Sequence, residues 1–498
     1  MVQVTGSLTY YPARASFIWY AGLIVCGAVL LWLPMSGAPD KTPITPLDAI
    51  FTSTSAACVT GLVVRSTPHD FSFVGQAVIL VLIQLGGIGI MTVTTFIVFQ
   101  LGARGGLRQR ALIAATLGAD SRSDLRSILR RVIAVTLLIE GIGFALLAVR
   151  NLFDLPWRDA LWQALFHSIS AFCNAGFALD DNSLMRYQSD PVVNAVICSL
   201  IMLGGIGFPV ILDVRQNWRH PTWTEMWEHL QLHSKIMLLG SVVLWLFGMI
   251  TFLAIEWDDV LVEVPWYYRP MVAMFHSVTC RTAGFNTVDV RALTNAMLFI
   301  SILLMAVGAG SCSAGGGFKV STAATLVLRA WSTFVGHARV TVFRRTIPHD
   351  AIEKATATAM LFIAVGAGAL TMLMIVEQSG PPVAVSAPAE SVLEEAKQEK
   401  AIAAIEDKPA TGEQARSQAI PERAYTPSFI DASFEVTSAL GTVGLSTGMT
   451  PLLSKPGRII IILCMFFGRL GPISVFAALS REERVDPVEH PAEEPLLG

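Results

Sequence analysis

The sequence predicts an all-α integral membrane protein made of four tandem repeats, each a span, a re-entrant pore loop and a second span. The repeats are expected to surround a central pore with pseudo-fourfold symmetry. Three observations support this fold class: an apolar composition, eight apolar runs of membrane length and a short motif that recurs four times. Of the 498 residues, 53% are hydrophobic before the 39 glycines are added, whereas soluble proteins reach roughly 45–50% with glycine included.

Eight apolar runs are long enough to cross a hydrocarbon core of roughly 30 Å. They lie near residues 16–35, 72–100, 131–149, 191–212, 235–255, 294–328, 355–376 and 457–479. An even number of spans returns the chain to its starting side, so both termini are predicted on one side of the membrane. The first run leads directly into a repeat and is not interpreted as a cleaved signal peptide.

Two connecting segments are strongly basic, although the whole chain has a formal net charge of −3. Residues 101–131 contain seven arginines, and residues 329–354 contain five lysines or arginines. Such loops stay on the cytoplasmic side of a membrane. The chain is therefore predicted to be a multi-pass protein of the cytoplasmic membrane with both termini in the cytoplasm.

Four of the spans are followed by segments of similar design. They read "AIFTSTSAACVTGLVV" (49–64), "ALFHSISAFCNAGFAL" (164–179), "AMFHSVTCRTAGFNT" (273–287) and "SFEVTSALGTVGLST" (433–447). The distance from Phe to Gly is 10 residues in three copies and 9 in the third. A second glycine-rich site begins 24 to 28 residues after each of these glycines. The repeating unit is therefore a span, a short re-entrant segment and a second span.

The repeats divide the chain into five predicted segments. These are the first repeat (1–110), the second (111–220), the third with a broken helix (221–345), the fourth (346–480) and a cytoplasmic tail (481–498). The fourth repeat is longer because of residues 378–427, which are rich in Ala, Pro, Glu and Lys. This composition predicts a disordered or loosely helical extracellular insertion.

Each repeated segment begins with about ten residues of moderate polarity, too few to span a bilayer. It then reaches a glycine, which tolerates a positive φ. This pattern predicts a half-helix followed by extended backbone, which is tolerated at membrane depth only if it is buried or lines an aqueous cavity. Four such segments could surround a pore in which backbone carbonyls replace the hydration shell of a cation. No catalytic side chain is needed.

At these motifs the chain resembles the Trk/Ktr/HKT superfamily of potassium transporters, most closely the bacterial Ktr-type membrane subunit. The resemblance rests on "CVTGL" (58–62), "CNAGF" (173–177), "RTAGF" (281–285), "GTVGL" (441–445), "GAGSCSAGGGFK" (308–319) and "GRLGP" (468–472). It implies that potassium is the substrate, with no covalently bound cofactor. The implied selectivity filter consists of Val59, Thr60, Gly61, Leu62, Asn174, Ala175, Gly176, Phe177, Thr282, Ala283, Gly284, Phe285, Thr442, Val443, Gly444 and Leu445.

In that superfamily a glycine in all four filters accompanies potassium selectivity, and a serine in the first filter accompanies sodium transport. Gly61 therefore implies potassium. The resemblance also implies a homodimer that rests on a cytosolic ring of nucleotide-binding regulatory subunits, with the nucleotide bound by the partner only. The lipid bilayer is the other expected partner, and no nucleic acid is expected.

The sixth span contains many glycines, each of which costs a helix about 1 kcal/mol relative to alanine. The span is therefore predicted to be broken. The resemblance implies an intramembrane gate loop there, with Gly308, Gly310, Ser311, Gly315, Gly316, Gly317 and Lys319. The alternative is close helix packing through small residues.

Arg469 lies in the last apolar run, where a charge suggests function. It could hold the pore closed electrostatically, or its head group could instead extend to the cytoplasmic face.

Other polar residues near the motifs have structural interpretations. Arg281 is predicted to point away from the pore and to pair with Glu435 or Asp289. His167 and His276 are interpreted as hydrogen-bonding groups of the half-helices rather than as metal ligands. Cys58 and Cys173 are expected to be buried behind the filter.

Two functional alternatives remain within the transporter class: a sodium-permeable relative and a potassium symporter coupled to Na⁺ or H⁺. An intramembrane enzyme is not predicted, because the sequence has no H-E-x-x-H motif and no pair of intramembrane aspartates. A single intramembrane carboxylate, Glu140, does not make an active site.

Overall fold

The computed structural model describes residues 12–39, 41–104, 125–378, 383–385, 423–425 and 428–471. Within these ranges almost all regular structure is helical. The basic segment 105–124, most of the insertion and the tail 481–498 lie outside the described residues, so the predictions made for them stay predictions.

Each repeat contains an outer helix, a buried half-helix and an inner helix. The outer helices are α1 (Pro12–Trp32), α5 (Leu125–Asn151), α10 (Leu232–Ile255) and α14 (His349–Gln378). The half-helices are α2 (Pro46–Ala57), α6 (Trp157–Phe172), α11 (Arg269–Thr279) and α15 (Phe429–Gly441). The inner helices are α4 (Phe73–Arg104), α7 (Pro191–Ile206) with α8 (Phe208–Asn217), α12 (Asn295–Ala306) with α13 (Val320–Phe334), and α16 (Lys455–Leu470). Two short helices complete the set, α3 (Thr67–Asp70) and α9 (Trp223–His229).

Three of the described helices are long and apolar enough to cross a membrane by themselves. They are Arg130–Asn151, Leu232–Ile255 and His349–Gln378, and the bent pair α7 and α8 makes a fourth if it counts as one span. Shorter apolar helices occupy Ser16–Trp32, Phe73–Gly89 and Asn295–Ala306. The outer helices expose many apolar side chains, for example Ile363 and Ile375 on α14, as expected for surfaces that face lipid.

Capping side chains fix where the half-helices of the first and fourth repeats begin. The Thr45 hydroxyl accepts a hydrogen bond from the Asp48 N–H at 3.2 Å, and the Asp48 carboxylate accepts one from the Thr45 N–H. Ser428 and Asp431 form the same capping box at the start of α15. These bonds satisfy backbone donors that a helix start leaves unpaired, so both half-helices start at defined residues.

Glycines of the inner helices allow close contact with the ends of the half-helices. A Cβ at Gly86 would clash with the Ala57 carbonyl, one at Gly204 with the Phe172 carbonyl, and one at Gly468 with the Leu440 carbonyl. In each case the glycine and the carbonyl belong to the same repeat. The second glycine register in the sequence therefore lets the inner helices of the first, second and fourth repeats pack against their own half-helices.

The sixth predicted span is broken, as the sequence predicted. Residues 307–319 separate α12 from α13 and form a non-helical loop. The fourth predicted span is also broken, which the sequence analysis did not predict. α7 and α8 meet at Gly207 with an angle of 96° between them, and Gly207 has a φ of +103°. A Cβ there would clash with the Ser311 carbonyl, so the 307–319 loop requires this glycine.

Two antiparallel strand pairs were not predicted. β1 (Thr341–Val342) pairs with β2 (Arg345–Thr346) in the second basic loop. β3 (Val383–Val385) pairs with β4 (Arg423–Tyr425), with Ala384 opposite Ala424. The second pair brings the two ends of the insertion together. Residues 386–422, between these strands, lie outside the described residues.

Candidate functional site

Each half-helix is followed by the same unusual backbone conformation. A residue with positive φ comes one to three residues after the end of the half-helix, and a glycine with positive φ comes two residues later. The pairs are Val59 (+55°) and Gly61 (+96°), Asn174 (+58°) and Gly176 (+69°), Thr282 (+69°) and Gly284 (+79°), and Thr442 (+51°) and Gly444 (+95°). The four motifs found in the sequence thus fold into four equivalent turns.

Hydrogen bonds from the backbone N–H groups tie each turn to its own half-helix. The residue between the two positive-φ positions donates to a carbonyl near the helix end. These bonds run from Thr60 to Ser55 (2.8 Å), from Ala175 to Ser170 (2.7 Å), from Ala283 to Thr279 (3.1 Å) and from Val443 to Ser438 (2.8 Å). Gly61 and Gly444 also donate to the hydroxyls of Ser55 and Ser438. The N–H groups are therefore directed back towards the half-helices.

Gly61, Gly176, Gly284 and Gly444, which we call the glycine ring, contact one another in chain order. A Cβ on each glycine would lie less than 3.0 Å from a carbonyl oxygen of the next repeat. These oxygens belong to Ala175 for Gly61, Ala283 for Gly176, Val443 for Gly284 and Thr60 for Gly444. The last contact returns to the first repeat, so the four segments form a closed ring.

The carbonyl oxygens of this ring have no hydrogen-bond donor among the described residues. They belong to Thr60, Gly61, Ala175, Gly176, Ala283, Gly284, Val443 and Gly444. Buried carbonyls usually have a partner. The Phe177 and Phe285 carbonyls differ, since they accept hydrogen bonds from the hydroxyls of Ser170 and Thr279. A set of largely buried carbonyls without donors, contributed by four equivalent segments, is suited to coordinate a cation without side-chain ligands.

The 307–319 loop packs against the residues that precede the glycine ring. The Gly316 N–H donates to the Thr442 hydroxyl at 3.0 Å. A Cβ at Gly315 would clash with the Thr282 hydroxyl, and this hydroxyl lies 3.2 Å from the Asn174 amide. The loop thus lies beneath the ring, on the side where the half-helices end. The sequence did not indicate that Thr282 and Thr442 would contact the loop through their side chains.

Neighbouring helices hold the loop in place. Gly310 and Ala314 donate backbone hydrogen bonds to Gly205 (2.8 Å) and Gly204 (3.0 Å) on α7. Gly317 donates to Gly468 on α16 at 3.2 Å. Within the loop region, the Lys319 ammonium donates to the Gly315 carbonyl at 2.8 Å. The remaining residues predicted for the gate, Gly308 and Ser311, lie in the same loop; the Gly308 N–H donates to Phe318, and Ser311 bonds Ser321 at 3.0 Å.

Arg469 is buried, with 3% of its surface exposed. Its guanidinium donates to the Ala314 carbonyl in the loop, to the Gly86 carbonyl at 2.7 Å and to the Tyr20 hydroxyl at 3.2 Å. The head group therefore does not extend to the aqueous face. It connects the loop of the third repeat to the first repeat, through Gly86 of the second glycine register and through Tyr20, which the sequence analysis had not identified.

The prediction that Arg281 pairs with Glu435 or Asp289 is wrong. Arg281 is buried and donates to the Gly308 carbonyl at 3.3 Å, and its guanidinium lies over the Trp245 ring. Glu435 instead accepts hydrogen bonds from the hydroxyls of Ser446 and Thr450. Because these two hydroxyls already satisfy the carboxylate, Arg281 takes a carbonyl and an aromatic face as its partners.

The structural roles expected for the histidines agree with their positions. The His167 ring accepts a hydrogen bond from the Leu179 N–H at 3.3 Å, and His276 bonds the Ser301 hydroxyl at 3.0 Å. Cys58 and Cys173 are both buried. Among the described residues, no group of three or more His, Cys, Asp or Glu could hold a metal ion.

The intramembrane carboxylate of Glu140 accepts a hydrogen bond from the Gln84 side chain at 2.9 Å.

Comparison with known protein families identifies the chain. The model of a family described as TrkH, cation transport protein, matches residues 23–385 and 420–485. The chain belongs to the TrkH family. The two matched segments are separated by residues 386–419, which coincide with the insertion between β3 and β4. Membership confirms the resemblance to this superfamily and the membrane fold, and because the family consists of transport proteins, the chain is not an enzyme.

Several curated relatives of this TrkH-family chain match it over nearly its whole length. It is 34% identical to the Ktr system potassium uptake protein B of Vibrio alginolyticus, over 97% of this chain and 94% of that protein. It is 33% identical to the protein of the same name from Bacillus subtilis, over 98% and 97%. It is 30% identical to the potassium/sodium uptake protein NtpJ of Enterococcus hirae, over 96% and 95%.

A solved structure shares the fold of this TrkH-family chain. The crystal structure of the potassium transporter TrkH from Vibrio parahaemolyticus aligns with a TM-score of 0.65 and 17% identity. The alignment covers 93% of this chain and 83% of that one. This comparison supports the architecture of the fold.

Proposed function

We propose that the protein takes up potassium across the cytoplasmic membrane, through a selectivity filter formed by the glycine ring and the residues on either side of it. The observation that carries this proposal is the closed ring of largely buried carbonyls that have no donor among the described residues. A potassium ion is the substrate, and the backbone oxygens of Val59 to Gly61 and of the corresponding residues in the other repeats would be its ligands.

The choice of potassium has two supports. Relatives over 30% identical are named potassium uptake proteins. All four ring positions are also glycines, as in the potassium-selective members of the superfamily that the sequence resembles. Nothing about the ring requires a side-chain ligand, because carbonyl dipoles from four segments can replace a hydration shell.

In this proposal the 307–319 loop is the gate. It lies directly beneath the ring, and the buried Arg469 guanidinium of the adjacent fourth repeat binds it. A cation next to the conduction path repels potassium, and its bonds to two other repeats hold the loop in the closed position. Opening would require the loop to leave Thr442 and Ala314 to leave Arg469.

We further propose that the protein works as a homodimer on a cytosolic ring of nucleotide-binding regulatory subunits, with both termini in the cytoplasm. The basic residues of 329–354 support this orientation. The nucleotide would bind to the partner and change the position of the gate loop through it.

The test is uptake of potassium or rubidium by proteoliposomes that contain the purified chain, with sodium as competitor. Wild type should take up potassium and resist sodium. Gly61→Ser should admit sodium, because its side chain would displace the Ala175 carbonyl of the next repeat. Gly141→Ser is the matched control, since a Cβ at Gly141 meets nothing within 4 Å, and it should behave as wild type.

A second candidate, a sodium-permeable or cation-coupled potassium symporter, has one specific support: the relative from Enterococcus hirae is named a potassium/sodium uptake protein. In the same assay, potassium uptake that requires external sodium, or that follows an imposed proton gradient, would favour this candidate. Sodium uptake by wild type equal to its potassium uptake would contradict a potassium-selective filter.

A further inference from the structure

Two adjoining cavities lie near the end of the second repeat. They are on the face of the protein away from the N-terminal ends of the half-helices. The first has a volume of about 480 Å³ and is lined by Arg131, Arg215 and Arg219. The second has a volume of about 580 Å³ and is lined mainly by aliphatic side chains, including Ile206, Val210 and Val214 on α7 and α8. Arg215 and Arg219 line both cavities, so a basic site continues directly into an apolar groove.

Two arginines of the basic cavity have no acidic side chain beside them in its lining. Arg215 and Arg219 are exposed, and among the described residues neither forms an ion pair. No acidic side chain lines either cavity. Guanidinium groups match the geometry of a phosphate. The cavity therefore favours an anion that carries a phosphate group.

Tryptophans place this site at the boundary between water and lipid. Trp218 is 66% exposed and Trp223 is 75% exposed, and their rings lie 6.2 Å apart. Tryptophan is enriched at the level of the lipid headgroups. Because α8 turns by 96° from α7, it can run along this boundary instead of across it. The arginines would then lie among headgroups, and the groove among acyl chains.

We propose that these two cavities form a binding site for an anionic phospholipid, with the phosphate against the arginines and an acyl chain in the groove below the bend. A soluble anion would leave the apolar groove unfilled, whereas a lipid with a negative headgroup matches both parts. Basic pockets on the cytoplasmic side of membrane helices are suited to such lipids.

The groove adjoins the residues that hold the 307–319 loop. The Phe208 N–H, at the start of α8, donates to the Cys312 carbonyl of the loop at 3.1 Å. Gly204 and Gly205, directly before Ile206, accept hydrogen bonds from the loop. A lipid chain beneath the bend stabilises this arrangement, so its presence changes the rate of uptake. This consequence rests on the proposed function, but the binding itself does not.

Binding is measured by native mass spectrometry of the purified full chain, titrated with phosphatidylglycerol or phosphatidylcholine. Wild type should prefer phosphatidylglycerol. The variant Arg215→Gln/Arg219→Gln should lose about 25-fold in affinity, because each basic residue near an anionic lipid contributes about fivefold. The control Arg339→Gln/Arg345→Gln removes the same charge from exposed positions and should keep the preference.

A second variant tests the groove without changing the charge. Val214→Trp should fill it and weaken the binding of phosphatidylglycerol while both arginines remain. Equal binding of the two lipids by wild type, or undiminished binding by the double variant, would overturn the proposal. The proposal would also be overturned if the double variant still binds phosphatidylglycerol but fails to bind a cytosolic regulatory subunit. The surface would then be an interface with that protein.

Uptake is measured separately, in proteoliposomes with and without phosphatidylglycerol. A rate that depends on this lipid in wild type, but not in the double variant, supports the link to the loop. If the rate of uptake in wild type is the same with and without phosphatidylglycerol, the proposed link between the lipid and the loop is wrong. Because mass spectrometry detects binding without transport, failure of the proposed function would not be mistaken for failure of the lipid site.

Discussion

At the residue scale, backbone conformations that most side chains avoid are concentrated around the glycine ring. Val59, Thr282 and Thr442 are β-branched, yet their φ values are +55°, +69° and +51°. Such residues in the left-handed region are outliers and cost roughly 1–3 kcal/mol each. The hydrogen bonds from the next residue to the half-helix hold each turn in this conformation. The backbone strain is thus located at the glycine ring, where the carbonyl groups of the four repeats have defined directions.

Arg469 provides the prediction at this scale. Arg469→Gln should raise the basal potassium uptake of the purified chain by about tenfold or more, because it removes the charge and weakens the bonds that hold the loop closed. A hydrogen bond to a charged group is worth about 1.5–3 kcal/mol. The measurement is uptake by proteoliposomes without a regulatory subunit, normalised to the amount of folded protein.

The matched control for this experiment is Arg158→Gln. Arg158 is exposed and lies over the Trp157 ring, far along the sequence from the loop, so uptake should not change. The thermal unfolding of both variants is measured in parallel. If Arg469→Gln lowers the unfolding temperature and leaves uptake per folded molecule unchanged, Arg469 is a structural residue and the gating role is wrong.

At the scale of single elements, the 307–319 loop is held in one position by hydrogen bonds and contains few large side chains. Glycines allow it to approach the half-helix of the fourth repeat, and its backbone donates to the side chain of Thr442 rather than to a helix ladder. An element held by a few separate hydrogen bonds opens locally at low cost. We therefore expect the loop to change position while the buried half-helices remain in place.

Gly316→Ala should increase basal uptake. Its Cβ would meet the Thr442 side chain and the Gly468 carbonyl, so the closed position of the loop would lose the bond to Thr442. Losing a hydrogen bond worth about 1 kcal/mol shifts an equilibrium by about fivefold, and uptake should rise by that order. Rates of rubidium uptake in proteoliposomes measure the effect.

Gly368→Ala serves as the control, because a Cβ at Gly368 on α14 has nothing within 4 Å. It should leave uptake unaltered. Reduced uptake in Gly316→Ala, with normal folding, would mean that the added methyl group blocks the path and that the loop does not open by moving away from Thr442.

At the scale of the whole molecule, the first and fourth repeats must join for the ring to close. The Asp48 carboxylate, only 2% exposed, binds Arg458 of the fourth repeat at 2.7 Å and Arg65 of its own repeat at 3.0 Å. Arg458 also donates to backbone carbonyls of its own repeat, at Leu453 and Pro451. One buried acid therefore connects the two ends of the repeated chain beside the half-helix α2.

Asp48→Asn should destabilise the protein by about 3 kcal/mol. This is the lower end of the cost of removing one partner from a buried ion pair, since both arginines keep some contact with water. Thermal unfolding of the detergent-purified chain, followed by tryptophan fluorescence, should show a lower midpoint. Potassium selectivity should also weaken if the junction between the first and fourth repeats loosens.

Asp154→Asn is the comparison. It removes an ion pair between two partly exposed side chains, Arg150 and Asp154, and pairs of this kind contribute about 1 kcal/mol or less. An equal loss of stability in the two variants would show that Asp48 does not connect the repeats in any special way.

The positions of the helices and half-helices followed from local patterns in the sequence. Apolar runs of membrane length predicted the spans, and the glycines of the sixth span predicted the break at 307–319. The break at Gly207 could not be predicted in the same way. "LGGIG" occurs twice in the sequence, and only the copy at 203–207 meets the Ser311 carbonyl and bends. The partner of Arg281 was missed for a related reason, since the Gly308 carbonyl that it binds lies 27 residues away in a loop whose position depends on tertiary packing.

By itself the sequence determined the membrane fold class, the four repeats, the family and the four glycines, because composition, periodicity and spacing are properties of short segments. Tertiary structure alone decided that the glycines meet in chain order, that their carbonyls lack donors, and that Arg469 reaches Gly86 and Tyr20. These are contacts between residues up to 449 positions apart. Their geometry depends on how the half-helices pack together, and no local pattern encodes the distance between two repeats.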